Sequence, residues 1–356
     1  MSKNSHGIGG LTFDEKKKAR APEWNVFFAL VLIVAVFEIL GALLMGQSLL
    51  FDSSDRFGSI FNEARLKIII LQVSIIGIIA IGSTQVIILG GIDLSPGSIV
   101  GVTAMVAMSF AQVAEINGLA NPKLMFDGVF NLPVIIPIAV GLTCGVIAGG
   151  INGVLIAYTK IPPFIATLGM MVFARGAAKW WSKGQPISFP TDSFAALGKG
   201  MTPVYIFAAL AVLFYLILKY TVYGKHTYAI GSNEQASRMS GIQVERHKVL
   251  VYTLAGALAA LAAVILASKN LTAQAGMGMM YELDAIAMTV IGGVSLSGGR
   301  GSILGTVLGA LIFGVIISGF TFLRLDAYYQ EMVKGIIIVG AVVLDQYRQK
   351  RNTARM

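Results

Sequence analysis

From residue 24 onward the chain is a succession of apolar runs separated by short polar or glycine-rich interruptions. The first run, Trp24–Met45, is long enough at ~1.5 Å per residue to cross ~30 Å of hydrocarbon as a helix. Further runs cover Ile68–Leu89, Ser98–Val113, Leu132–Tyr158, Phe164–Trp181, Pro203–Tyr220, Val249–Ala267, Leu283–Leu296, Ser302–Leu323 and Met332–Tyr347. The pattern predicts an all-α polytopic membrane protein of about ten transmembrane helices, with broken or re-entrant segments among them. Leu283–Leu296 is short and either spans or re-enters. Residues 1–23 form an N-terminal tail, 24–347 the transmembrane domain, and 348–356 a C-terminal tail.

Two features inside the runs bear on packing. Gly141, Gly145, Gly149 and Gly153 recur at four-residue spacing, a ridge on which another helix can come very close. Residues 90–101, GGIDLSPGSIVG, open with two glycines followed by a proline, through which no helix runs undisturbed. Residues 292–305, GGVSLSGGRGSILG, echo them. The echo favours an internal repeat over two unrelated helix ends. With ten spans the two copies share one orientation, an inference that fails if Leu283–Leu296 re-enters.

The longest polar interruption, residues 220–248, carries a net positive charge: Lys225, Arg238, Arg246 and Lys248 outnumber Glu234 and Glu245. By the positive-inside bias it is cytoplasmic, as are the basic tails, Lys16–Arg20 at one end and Arg348–Arg355 at the other. Within the loop, Ser232 or Asn233 can cap a short helix with Glu234 and Gln235 in its first turn, and Gly241 can end it in a left-handed turn. Such a helix is either a docking element or part of an ordinary connection. Composition agrees with a membrane protein: of 356 residues, 56% are hydrophobic and 13% charged, against about 25% charged in soluble proteins. The net charge of +9 sits mostly in tails and loops, which reads as membrane orientation and lipid contact rather than nucleic-acid binding.

Catalytic chemistry is not in evidence. The single cysteine, Cys144, lies in an apolar run and is read as a small packed hydrophobe. His6, His226 and His247 show no metal-ligand spacing, and no phosphate-binding G-x-x-x-x-G-K-[ST] loop occurs. The basic segment Lys16–Arg20 precedes the long apolar run Trp24–Met45 with no small-residue cleavage site, as expected of a retained first helix. Glu38, Arg175 and Lys179 interrupt apolar runs, where a charge is costly unless it faces protein, water or the interface.

Four stretches in order resemble the permease subunits of bacterial ABC importers for monosaccharides, the ribose, galactose and xylose class. They are GGIDLSPGSIVG (90–101), NGVLIAYTKIPPFIATLGMMVFARG (152–176), AIGSNEQASRMSGI (229–242) and YELDAIAMTVIGGVSLSGGRGSILG (281–305). WWSKGQPIS (180–188) looks most like permeases for inositol- or ribose-type substrates. The resemblance implies a permease homodimer in the bacterial inner membrane, both termini cytoplasmic. A periplasmic sugar-binding protein delivers a monosaccharide or polyol, and a separate cytoplasmic ABC ATPase carries ATP and magnesium, so that this chain is no enzyme and needs no cofactor of its own. It places Gly231, Asn233, Glu234, Ala236, Arg238, Met239 and Gly241 in an ATPase-coupling loop.

An ion-coupled secondary transporter is the alternative, and would want intramembrane carboxylates, of which Glu38, Asp93 and Asp284 are available. Candidates for the translocation path are Asp93, Ser95, Asn152, Phe164, Thr167, Asp284 and Ser295. Asp93 could contact a hydroxylated solute, but Asp before Pro-Gly is also turn chemistry, and its counterpart in the echo is Ser295. Asn152, Thr167 and Asp284 serve equally well as interhelical hydrogen bonds. Phe164, Trp180 and Trp181 could stack on a sugar ring or, for the tryptophans, sit in an interfacial belt.

Overall fold

The structure is a computed structural model, and it describes residues 22–51 and 61–353. Nearly all of the predicted N-terminal tail, residues 52–60 between the first two apolar runs and the end of the C-terminal tail lie outside those residues. The helices in chain order are α1 (Pro22–Met45), α2 (Glu63–Ile88), α3 (Pro96–Ser109), α4 (Ile135–Thr159), α5 (Pro163–Trp181), α6 (Asp192–Ala195), α7 (Thr202–Tyr220), α8 (Val222–Ser232), α9 (Glu234–Met239), α10 (Val244–Asn270), α11 (Tyr281–Ile291), α12 (Ile303–Phe322) and α13 (Ala327–Thr353). Each of the ten apolar runs falls on a helix. Among the described residues, α1, α2, α4, α7, α10 and α12 are long and apolar enough to cross a membrane. In contrast, α3 with 14 residues and α11 with 11 rise only ~21 Å and ~17 Å.

Burial explains the order of the bundle. From Val73 to Ile88 every residue of α2 is buried, so this isoleucine-rich helix is its centre. Around it stand α7, α10, α11 and α12. The ridge on α4 is packing, as its spacing predicts: the helix lies along α10, and a Cβ on Gly149 or Gly145 would overlap the Tyr252 or Gly256 carbonyl oxygen. By contrast α1 turns most of its side chains outward and rests on α12, with Phe37 5.7 Å from Phe320 ring to ring.

Glu38, a candidate intramembrane carboxylate, is absorbed by structure. It accepts from the Leu49 and Leu50 amides at 3.0 and 2.6 Å and from the Ser48 hydroxyl, capping the turn after α1. The connections read as loops are more ordered than their polarity suggested. Ile187–Ser188 (β3) pairs antiparallel with Thr272–Ala273 (β4), and the Ser268 hydroxyl receives the Gly198 amide at 2.7 Å. Glu115–Ile116 and Leu119–Ala120 (β1 and β2) form a hairpin turned at Asn117-Gly118, both with positive φ. These pairings gather the ends of α3, α5 and α10 and the start of α7 at the end of the bundle opposite α9.

The echo survives in three dimensions with a corrected register. Gly90 (φ +91°) and Gly293 (φ +88°) each end a helix in a left-handed turn. In each, the next amide reaches back five residues, Gly91 to the Val86 carbonyl at 2.9 Å and Val294 to Thr289 at 3.1 Å. Gly90 therefore matches Gly293, one residue away from the sequence pairing with Gly292. Asp93 then falls opposite Leu296, so the pairing of Asp93 with Ser295 does not hold.

Candidate functional site

The polar stretch 220–248 is not a loop with one short helix but three helical pieces. The missed piece is α8, whose Thr227 and Ile230 are buried and whose Gly224 lies against Leu218 at the end of α7. The predicted cap is present at α9. The Asn233 side chain accepts from the Ala236 amide at 2.9 Å, and at the far end Gly241 (φ +84°) takes the left-handed turn that lets Ile242 bond back to Ser237 at 3.1 Å.

Ion pairs then tie this six-residue helix to α10. Arg238 reaches Glu245 at 2.5 Å and Glu234 at 3.4 Å, while Lys248 reaches Glu234 at 2.8 Å. The hydrogen bond that it donates to Glu245 holds the Arg238 guanidinium above its ordinary pKa. Each pair is largely exposed and contributes little alone. As a network they fix the orientation of a helix too short to be stable by itself. The face they present is open: Met239 is 86% exposed, an apolar tip with no intramolecular reason to be there. Grooves of about 470 and 480 Å³ flank it, one beside Gly241, Arg246 and His247, the other beside Lys160, Pro162 and Arg238.

What lies beneath that surface connects it to the bundle. At the end of α8, a Cβ on Gly231 would overlap the Ile88 carbonyl oxygen and lie 2.7 Å from the Gly299 amide nitrogen. Those two groups are hydrogen-bonded to each other at 2.8 Å. Gly231 thus sits on the bond that joins the break after α2 to the break after α11. Both breaks meet α8 at one end of the molecule, and α8 leads directly into α9.

Four of the seven path candidates come together at the first break. Asp93 Oδ1 accepts from the Ser95 amide and hydroxyl at 2.8 and 2.6 Å. Asn152 Nδ2 donates to Ser95 Oγ at 2.9 Å. The Thr167 hydroxyl receives the Leu94 amide at 3.2 Å and bonds back to Pro163 at 2.9 Å. These residues satisfy the unwound backbone and hold it to α4 and α5, in keeping with the turn reading of Asp93. The other three lie apart. Asp284 pairs with Lys334 of α13 at 3.1 Å, Ser295 is buried in the second break, and Phe164 is 46% exposed at the start of α5.

Sequence reasoning missed two associations. His226 and His247, distant in sequence, stand ring to ring at 5.7 Å beneath α9, with His247 Nε2 2.8 Å from the Thr227 hydroxyl. No group of His, Cys, Asp or Glu among the described residues could hold a metal ion. Arg175, marked only as costly, donates to the Ala275 and Met277 carbonyls at 2.6 and 2.8 Å and to Gly97 at 3.1 Å. No local pattern announces backbone partners a hundred residues away.

Comparison with known proteins agrees with this architecture. The family described as "Branched-chain amino acid transport system / permease component" matches residues 65–342. The ribose import permease protein RbsC of Haemophilus influenzae is 35% identical over 334 residues, covering 91% of this chain and 93% of its own. RbsC of Bacillus subtilis is 43% identical, covering 77% and 82%, and the galactose/methyl galactoside import permease protein MglC of Escherichia coli is 34% identical, covering 90% and 94%. No solved structure matches. On this evidence the chain belongs to the permease-component family of bacterial ABC importers, the membrane-spanning partners of a separate ATPase.

Proposed function

We propose that the chain imports a monosaccharide or polyol, ribose-, galactose- or inositol-like, delivered by a periplasmic binding protein. The sugar permeases among its relatives support this class over the amino acids in the family's description. Two copies form the permease, its apolar helices lie in the inner membrane with α3 and α11 reaching only part of the way across, and both termini with α8 and α9 face the cytoplasm, as the distribution of Lys and Arg favours. ATP and magnesium belong to the ATPase.

The observation that carries the proposal is the position of α9. A capped, ion-paired helix with Met239 exposed at its tip rests through Gly231 on the bond between two helix breaks. Gly231, Asn233, Glu234, Ala236, Arg238, Met239 and Gly241 form the coupling element, and nucleotide-driven closure of the ATPase pushes it against the breaks. Asp93, Ser95, Asn152 and Thr167 frame the first break, with Ser295 in the second. Replacing Arg238 or Gly241 with Glu is expected to lower uptake and coupled ATP hydrolysis while membrane insertion stays normal. Normal uptake and hydrolysis in both variants would remove α9 from the coupling path.

A further inference from the structure

The region around Arg175 performs no task in the coupling surface, yet it holds a carboxyl and a guanidinium inside the bundle. Beyond β4 the chain does not re-enter a full-length helix. Residues 274–280 run irregularly into the bundle until α11 begins at Tyr281, against the first turn of α3. The approach is intimate: a Cβ on Gly278 would lie 2.6 Å from the Gly97 carbonyl oxygen, and one on Gly101 2.8 Å from Arg175 Nη1. Two helix N-termini therefore converge inside the bundle, and the positive ends of their dipoles meet there.

Glu282, in the first turn of α11, extends into that convergence. It is 8% exposed, and its Oε2 packs on Gly97 of α3 with no hydrogen-bond partner. An ionisable group held inside a membrane protein with an unsatisfied oxygen costs free energy that packing alone does not offset. Its neighbour Arg175 spends its donors on three backbone carbonyls, pinning residues 275–277 to α3. On the far side of that pin is a cavity of about 780 Å³, lined by Lys179, Trp180, Lys183, Gln274, Ala275 and Gly276, at the end of the bundle opposite α9. Ala275 belongs to both: its carbonyl is held by Arg175 and its residue floors the cavity.

We propose that this cavity receives a polyhydroxylated solute, that release of the Arg175 pin opens its floor, and that Glu282 is the solute-contacting residue beneath it. The chemistry fits: a carboxylate oxygen accepts from sugar hydroxyls, and Trp180, 77% exposed at the cavity wall, offers a ring face for the C–H side of the sugar. The proposal rests on the sugar-import reading.

The test measures uptake of labelled ribose, galactose and myo-inositol, with their deoxy analogues, in cells carrying the complete transporter. For whichever solute the parent moves, E282Q is expected to lower uptake roughly 10- to 100-fold, the range for losing hydrogen bonds to a charged acceptor. One deoxy analogue, lacking the hydroxyl that Glu282 reads, should lose far less. A second measurement covers a variant that fails to fold. In a C144S background, A275C should be labelled by an impermeant thiol reagent from the periplasmic side, and the transported solute should slow that labelling. Parental uptake by E282Q with an unchanged analogue ranking, or labelling of A275C that no transported solute slows, overturns the proposal. A parent that moves none of the three solutes and no other sugar instead overturns the sugar-import reading on which it stands.

Discussion

Substituting Gly231 with alanine is the smallest change that separates the coupling surface from the bundle. The added methyl would overlap the Ile88 carbonyl oxygen and approach the Gly299 nitrogen to 2.7 Å, whereas C···O contacts settle at about 3.3–3.6 Å. Neither neighbour is a flexible side chain that could swing away. Both are backbone, and each is the other's hydrogen-bond partner at 2.8 Å. Relief requires α8 to withdraw from the breaks or the bond between them to open. Overpacking of this kind costs about 1–3 kcal/mol. An opened bond that leaves its groups unpaired costs about 1–3 kcal/mol more. A combined ~2–6 kcal/mol, at about 1.4 kcal/mol per tenfold, shifts the coupled conformation at least twentyfold against the parent. The assay is solute-stimulated ATP hydrolysis of the reconstituted complex alongside the basal rate. Stimulation should collapse while the ATPase remains bound, because α9 itself is untouched. G231A with parental stimulation would refute the claim that α8 transmits force through this contact.

Other expectations follow from the same geometry. Gly149→Leu, on the α4 ridge against the Tyr252 carbonyl, should prevent recovery of folded protein, whereas Gly169→Leu on α5, where a Cβ meets nothing within 4 Å, should be tolerated; size-exclusion profiles in mild detergent compare them. Lys334→Met strands Asp284, which is 4% exposed, and should cost about 3–5 kcal/mol of stability, much of it recovered in the Lys334→Met/Asp284→Asn pair, as read by thermal unfolding. Asn233→Ala removes the cap of α9 and should cost about 1 kcal/mol locally, lowering affinity for the ATPase roughly fivefold in a binding titration, with Asn233→Ser restoring it.

The parts of this architecture that could be read from the sequence are those set by local chemistry. Long apolar runs must close their own backbone hydrogen bonds in lipid, so all ten emerged as helices. The Asn233 cap and the Gly241 turn follow from side-chain and φ preferences within seven residues. The glycine ridge of α4 announced a close neighbour without naming α10. What escaped was set at a distance. The α8 helix is polar enough to pass for a loop until Gly224 and Ile230 meet the bundle. The register of the echo is fixed by which glycine adopts positive φ, and two adjacent glycines leave that choice open. Arg175 was visible as an anomaly, but its partners are carbonyls, which no residue pattern encodes. Asp93, Ser95, Asn152 and Thr167 were singled out as polar residues in apolar surroundings. That they converge on one another became visible only when α4 and α5 were packed against the break.

The central claim, that α9 is where this permease meets its ATPase, is tested most directly by cross-linking from its tip. Met239 is exposed and makes no capping or ionic contact, so M239C in a C144S background leaves α9 intact. Carrying a short photoactivatable thiol reagent and purified in mild detergent with its co-expressed ATPase, it should give a single adduct of permease and ATPase, diminished by the charge reversal R238E. A preparation in which the ATPase co-purifies in stoichiometric amount yet M239C forms no adduct with it would contradict the account.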